Sequence, residues 1–483
     1  MTTLFRVRKS KWVYNVYLHP LSKYPGPKFA AASRLPLAWA LVTGNNIRWT
    51  THLHDVYGHV VRVAPNEISY TDGQGWKDIY GHRIGAKSSM TKHPGFYSSA
   101  VNGAHSIVTA PDDADHARGR RVFSNAFSDK ALREQEPLFR KYVNLLIHKL
   151  RLKLQDDPNK PINIVNMYNF TTFDVLGDLT FGEPLQLLET SEYTPWVALI
   201  FDSIKAATIF STLRRFPIFE NLMKALLPKS LRQKRREHFE YASDRVKRRL
   251  AQDTKRPDIW TLVLRQVEGK GLSDEEMHAN AAVFMIAGTE TTATLLSGLT
   301  YFLLKNPSTM AKLVTEIRGA FAADEDITIE ALARLEYLTA CCEEALRMYP
   351  PVPAGMPRVV SSEGAIICGN FVPGGTTVYV SIFATNHSEA NFKHHNSFIP
   401  ERWTGDERFA SDNKFAFQPF SYGPRNCIGK NMAYHEMRLI LSKVLWNFNL
   451  TLFSEMDDWA HQDVFTLWQK HPLMVKLTPV RGP

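Results

Sequence analysis

Phe420-Ser-Tyr-Gly-Pro-Arg-Asn-Cys427-Ile-Gly429 decides the reading of this chain. One cysteine stands between two glycines, with an arginine two residues before it and an aromatic ring seven before it. Cysteine ligates metal as thiolate, and it stays deprotonated beside cations or N–H donors. Glycine takes backbone angles closed to other residues, so Gly423 and Gly429 permit a tight loop that aims N–H groups at the sulfur. Most single cysteines are inert, small, buried apolar residues; the fixed pattern around Cys427 sets it apart. Two overlapping motifs fail. Five residues separate Gly423 from Gly429 where a phosphate loop needs four, and Asn431 replaces its Ser/Thr. His435-Glu436 begins a zinc-protease pattern, but Leu439 stands where the second histidine belongs.

Three further constellations lie upstream. Ala287-Gly288-Thr289-Glu290-Thr291-Thr292 interrupts an apolar run expected to form one buried helix from Gly271 to Leu304, capped by Ser273 and Glu276. A carboxylate and hydroxyls there are costly unless they bond or react; Thr291 could bond back to a carbonyl one turn earlier, and Glu290 could face a water pocket. Glu344-Ala-Leu-Arg347 places opposite charges at i, i+3 on a helix ending at Pro350-Pro351, and Pro400-Glu401-Arg402-Trp403 follows. Such pairs are also common surface decoration. His116-Ala-Arg-Gly-Arg120 lies on an early helical stretch.

In this order and spacing the motifs resemble those of the cytochrome P450 family, from about residue 19 to the C-terminus. The similarity runs to fungal secondary-metabolite monooxygenases of the isotrichodermin C-15 hydroxylase and averantin hydroxylase type. The resemblance implies a mainly α fold: a large helical domain, a smaller β-rich lobe, and haem between central helix and cysteine loop. It implies haem b on the Cys427 thiolate, held by Phe420, Gly423 and Gly429, with His116 (in the family's tryptophan position), Arg120, Arg358 and Arg425 on its propionates. Glu290 and Thr291 are then the acid and alcohol that deliver protons for O–O cleavage, and Glu344, Arg347 and Arg402 a structural ion network locking the loop. By position, Ser106, Ile107, Phe284, Ala287, Val352, Ala354 and Met356 line the substrate pocket.

The implied reaction activates dioxygen to hydroxylate, epoxidise or desaturate a small apolar substrate. Its electrons come from NADPH through a flavoprotein reductase whose acidic face suits Arg118, Arg121 and Lys430. Two alternatives stay open. A haem-thiolate isomerase or dehydratase works without a reductase, but such enzymes often lack the acid–alcohol pair; a silent haem sensor would need neither.

Composition is consistent with this. The chain has 483 residues, 44% hydrophobic, enough for a sizeable core. Its four cysteines, Cys341, Cys342, Cys368 and Cys427, form no CxxC pair, which argues against a disulfide framework or structural zinc and fits a cytosol-facing location. The net charge of +10 suits acidic partners or anionic membranes, and the absence of a basic-aromatic module argues against nucleic acid. Residues 1–18 carry Arg6, Arg8, Lys9 and Lys11 and hold no complete membrane anchor, whereas His19 to Pro27 resembles the family's proline hinge. The expectation is one domain over 19–483, monomeric, with endoplasmic-reticulum association by resemblance.

Helices are further expected over 114–154, over Asn166–Leu179 as an amphipathic one, and as a pair over 194–250. That pair is joined by apolar Phe216-Pro217-Ile218-Phe219 and Leu226-Leu227 beside the basic run Lys229 to Arg236, a lid suited to headgroups or a solvated helix face. Short β pieces are expected at 60–64, 67–70, 365–367, 376–379 and 473–477.

Overall fold

A computed structural model describes residues 11–82, 89–216, 229–252, 258–264, 271–453 and 458–481. Ser273 starts the helix that organises it: its hydroxyl accepts from the Glu276 N–H, and the Glu276 carboxylate accepts from the Ser273 N–H. The helix runs Asp274–Ala287 and resumes as Thr289–Lys305, so the one expected helix is stepped within the Ala287–Thr292 motif, where the family resemblance implies a bow. Threonine hydroxyls cause the interruption. Thr291 Oγ1 donates to the Ala287 carbonyl at 2.6 Å and Thr289 to that of Met285, the back-bonding that bends helices. Gly288 sits at the step, and a methyl group there would lie 2.6 Å from Leu176. The whole stretch is apolar and long enough to cross a bilayer, yet its most apolar window is 67% buried in this protein.

Leu176 belongs to helix Ile164–Phe181, which is buried on nearly every side rather than amphipathic as expected. Its polar residues are buried because they are bonded. Tyr168 pairs with Thr300 at 2.9 Å, Asp174 accepts from the N–H groups of Leu187 and Leu188, and Asp178 accepts from the Tyr142 hydroxyl at 2.6 Å. The run 114–154 is two helices, Asp113–Ser124 and Asp129–Asp156, restarted by caps at Asp112 and Ser128. The expected pair over 194–250 forms as Pro195–Leu213 and Lys229–Leu250. Their expected connection through Pro217-Ile218-Phe219 and Leu226-Leu227 lies outside the described residues, as do several side chains of the basic run and residues 1–10.

The β lobe is a five-stranded sheet in the order Val60–Ala64, Glu67–Tyr70, Thr377–Val380, Arg358–Val359, Thr91–Lys92, with the second and third strands parallel. At its edge Lys92 stands directly opposite Arg358. Like charges facing each other across strands repel, so this register matters for the site. Three smaller sheets, one built by Met474–Pro479 between Phe448–Leu452 and Ile162–Asn163, complete the lobe and the chain end.

Candidate active site

The Cys427 N–H donates to the Phe420 carbonyl at 2.9 Å, closing the loop quoted above. Gly423 is required twice over: its φ is +78°, and a methyl group there would lie 2.0 Å from the Tyr80 carbonyl oxygen. Gly429 differs from the expectation. Its φ of −85° is open to any residue; what it contributes is a backbone N–H to the Cys427 sulfur, at the start of helix Lys430–Asn447. Burial pushes the Cys427 thiol up, and the Gly429 N–H, Arg120 and Lys430 pull it back. Arg120 is fixed in place by two bonds to Asn426, at 2.6 and 2.5 Å. Cys427 lies deep among protein atoms, yet its side chain is open to an internal cleft. Ala287 in the middle of the central helix is exposed in the same way, and Thr291, Val352 and Ala354 are half-exposed. Thr292, next in line, bonds the Glu436 carboxyl, which burial raises to about 8, and so ties the central helix to the helix that follows Cys427.

A second cluster is made of cations. Arg358 is buried over the rings of Tyr80 and Tyr97, and its Nη1 has no partner. Lys92 opposite is buried and donates to the Val108 carbonyl; burial, then Arg358 and Arg425, lower it to about 6. Arg425 donates to the carbonyls of Ala110, Pro111 and Asp112 and to Asp113. Burial, then Arg425, Lys92 and Arg120, hold His116 at about 3, as neutral imidazole. Among the described residues, only Asp113 opposes these charges by direct pairing. Repelling cations, one with an unmet donor, fit a group bearing two carboxylates. Lys92 was not among the expected residues, since a lysine in a two-residue strand carries no sequence signal.

Several expected residues have other surroundings. Phe284 is buried with its ring 4.9 Å from Phe123 and 5.7 Å from Phe127, so it belongs to core packing rather than to the pocket expected of it. Ser106 and Ile107 are buried, the Ile107 N–H bonding Asn280 of the central helix at 2.8 Å. Met356 packs partly against the core of the β lobe. Arg118 was expected on a docking face but forks onto Glu276, leaving Arg121 and Lys430 exposed there. Glu290 is buried against Lys470, a partner 180 residues away that no local pattern announces.

Behind the loop, Glu344 accepts from Arg347 at 2.9 and 2.8 Å, Arg402 at 3.1 Å, Trp403 at 2.9 Å and the Ile399 N–H at 2.8 Å. Arg402 also pairs with Asp412, the member that sequence reading missed. Glu344, Arg347 and Arg402 are wholly buried, and two carboxylates balance two guanidiniums.

A helical body with a β lobe, an accessible cysteine in a tight loop and a stepped central helix suits a haem-thiolate enzyme. The family model Cytochrome P450 matches residues 30–477. Cytochrome P450 monooxygenase efuB of Hormonema carpetanum is 52% identical over 96% of this chain and 93% of its own length. Cytochrome P450 monooxygenase FUM2 of Gibberella moniliformis is 48% identical over 97% of this chain and 100% of its own. The chain belongs to the cytochrome P450 family, as a monooxygenase of fungal secondary metabolism with a haem-thiolate iron cofactor.

Proposed function

We propose that Cys427 supplies the thiolate, and that Lys92, Arg358, Arg425 and His116 hold the haem carboxylates. Bound there, haem supplies dioxygen binding and O–O cleavage, which thiolate ligation favours. One oxygen atom enters a C–H bond or double bond of a small apolar molecule, and the other leaves as water with two protons and two electrons. Thr291, at the cleft, hands on the protons that Glu290 supplies; Ala287, Val352 and Ala354 give apolar walls that orient the substrate and exclude water. The observation that carries this reading is that Cys427 and Ala287 are exposed and Thr291 half-exposed, although the central helix is mostly buried and Cys427 lies deep among protein atoms.

Electrons arrive singly from an NADPH-dependent flavoprotein reductase, for whose acidic face the exposed Arg121 and Lys430 are suited. Exposed Trp12, Tyr14, Tyr17, Leu18, Phe29 and Trp39 support peripheral contact with a membrane facing the cytosol, where aromatic rings settle among headgroups. The rearrangement alternative has no need of a buried acid beside Thr291.

Accurate-mass comparison of extracts from a host with and without this protein tests the reading. A new compound one oxygen heavier than a consumed precursor is expected; isomeric compounds would overturn it in favour of rearrangement.

Cofactor uptake offers an independent check on the cation cluster. At pH 8 Lys92, lowered to about 6, is mostly neutral, and a dianionic group arriving beside it restores its charge. Haem binding to the apoprotein is therefore expected to take up about one proton at pH 8. In Lys92→Met the uptake disappears and affinity falls about tenfold. Calorimetry in buffers of differing ionisation enthalpy reads both; unchanged uptake in the variant removes Lys92 from the site.

A further inference from the structure

Glu290 and Thr291 are neighbours in sequence but face different spaces. Thr291 is half-exposed at the cleft. Glu290 is buried with Oε1 accepting from Lys470, which also donates to Thr294 Oγ1 at 2.8 Å. Thr294 lies 3.4 Å from that same carboxylate oxygen, and Glu290 Oε2 has no partner. The pair forms part of the wall of a cavity of about 310 Å³ shared with Asn163, Asn166, Asn169 and Tyr193. Asn169 donates to the Tyr193 hydroxyl at 2.7 Å, that hydroxyl lies 3.3 Å from Asn166 Oδ1, and Asn169 Oδ1 is buried without a partner. A cavity of this size with unmet acceptors in its partly polar lining has room for water. Lys470 itself follows the hairpin of Val464–Phe465 and Leu467–Trp468, whose Phe465 and Leu467 also line the cavity.

We propose that Lys470 is a positioning residue for proton delivery: it holds Glu290 against this cavity for reloading from water and keeps the carboxyl able to release its proton toward Thr291. This rests on the reading of Glu290 and Thr291 as the proton path of the monooxygenase. The physical reason is that a buried carboxylate with no cation keeps its proton and stops relaying. Burial raises Glu290 and Lys470 opposes that; burial lowers Lys470 and Glu290 opposes it. Among the described residues, the other titratable groups facing Glu290 are phenols: Tyr193, held at about 12 chiefly by burial, and Tyr349, raised further by the same cause. Both stay protonated through the working range. Lys205, also on the cavity wall, lies over the Phe465 ring and bonds Gln469. Control of Glu290 therefore falls to Lys470.

The test uses the haem-loaded full chain as wild type, Lys470→Met, Lys470→Arg, Glu290→Gln and the double variant Lys470→Met/Glu290→Gln. Without turnover, the infrared band of a protonated buried glutamic acid, assigned by its loss in Glu290→Gln, is followed against pH. Its midpoint is expected to rise by about one pH unit or more in Lys470→Met and to stay near wild type in Lys470→Arg. With reductase and NADPH, product formed per NADPH is expected to fall about tenfold in Lys470→Met. Hydrogen peroxide should take up the difference, with KM unchanged and a larger solvent deuterium effect. Lys470→Arg restores coupling, and Lys470→Met adds nothing in the Glu290→Gln background. An unmoved infrared midpoint, or an equal further loss in that background, overturns the proposal. Absence of any NADPH-dependent product from the wild type would instead overturn the monooxygenase path, leaving the infrared result to judge the pair.

Discussion

Cys427→Ala is expected to lower NADPH-dependent oxygenation by at least about a thousandfold, or about 4 kcal/mol of barrier, while the folded protein still takes up haem. The alanine removes the sulfur alone. The loop keeps its shape through the Cys427 N–H to the Phe420 carbonyl and through Gly423 beneath Tyr80, neither of which uses the side chain. The cations around Arg358 likewise remain to hold carboxylates. What goes is the electron-rich ligand that favours O–O cleavage. The reduced carbon monoxide complex should lose its thiolate-type spectrum in step with activity. Retention of both would remove Cys427 from the metal, and loss of haem together with fold would show the sulfur to be structural.

Glu344→Gln is expected to carry the largest stability loss of any single change behind the loop. Glu344 and Asp412 balance Arg347 and Arg402, and both guanidiniums are fully buried. A neutral amide leaves one net positive charge with no balancing carboxylate, only the carbonyls of Asn386, His395 and Ser397 around Arg347, at a cost of about 3–5 kcal/mol. The damage reaches the loop by contact, since Trp403 donates to Glu344 and its ring lies 4.7 Å from that of Phe417. A fall in Tm of roughly 3–5 °C is expected, with haem lost at lower temperature than in wild type. Arg402→Lys should fail similarly, because an ammonium cannot fork between Glu344 and Asp412. Melting curves of the purified proteins decide it, and a Tm unchanged in Glu344→Gln would make the network incidental.

The cysteine loop was legible because its chemistry is local: sulfur, glycine and arginine occur at fixed offsets within ten residues. The start of the central helix was legible for the same reason, with Ser273 and Glu276 bonding each other. Its interruption at Gly288 was legible only through the family resemblance, which implies a bow there, since threonine hydroxyls compete for carbonyls only once the turn exists. Helix Ile164–Phe181 looked half-exposed because its polar residues imply water, and their true partners, Tyr142, Thr300 and the N–H groups of Leu187 and Leu188, come from other segments. Lys92, Lys470 and Asp412 were invisible for a related reason: each acquires meaning from a charge brought beside it by the fold. Arg118 was misjudged in the opposite sense, because Glu276, 158 residues on, neutralises it.

The close approach of Gly423 to Tyr80 has a consequence for the order of assembly. The helix bearing Tyr80 also sends Trp76 to the Ala416 carbonyl, 340 residues away, and the Tyr80 hydroxyl to that of Met356. One wall of the cofactor loop is thus made some 340 residues before the other. Contacts of such separation form slowly, after the local helices. The nascent chain therefore waits with the cleft half-built and its apolar surface uncovered until both walls have been made.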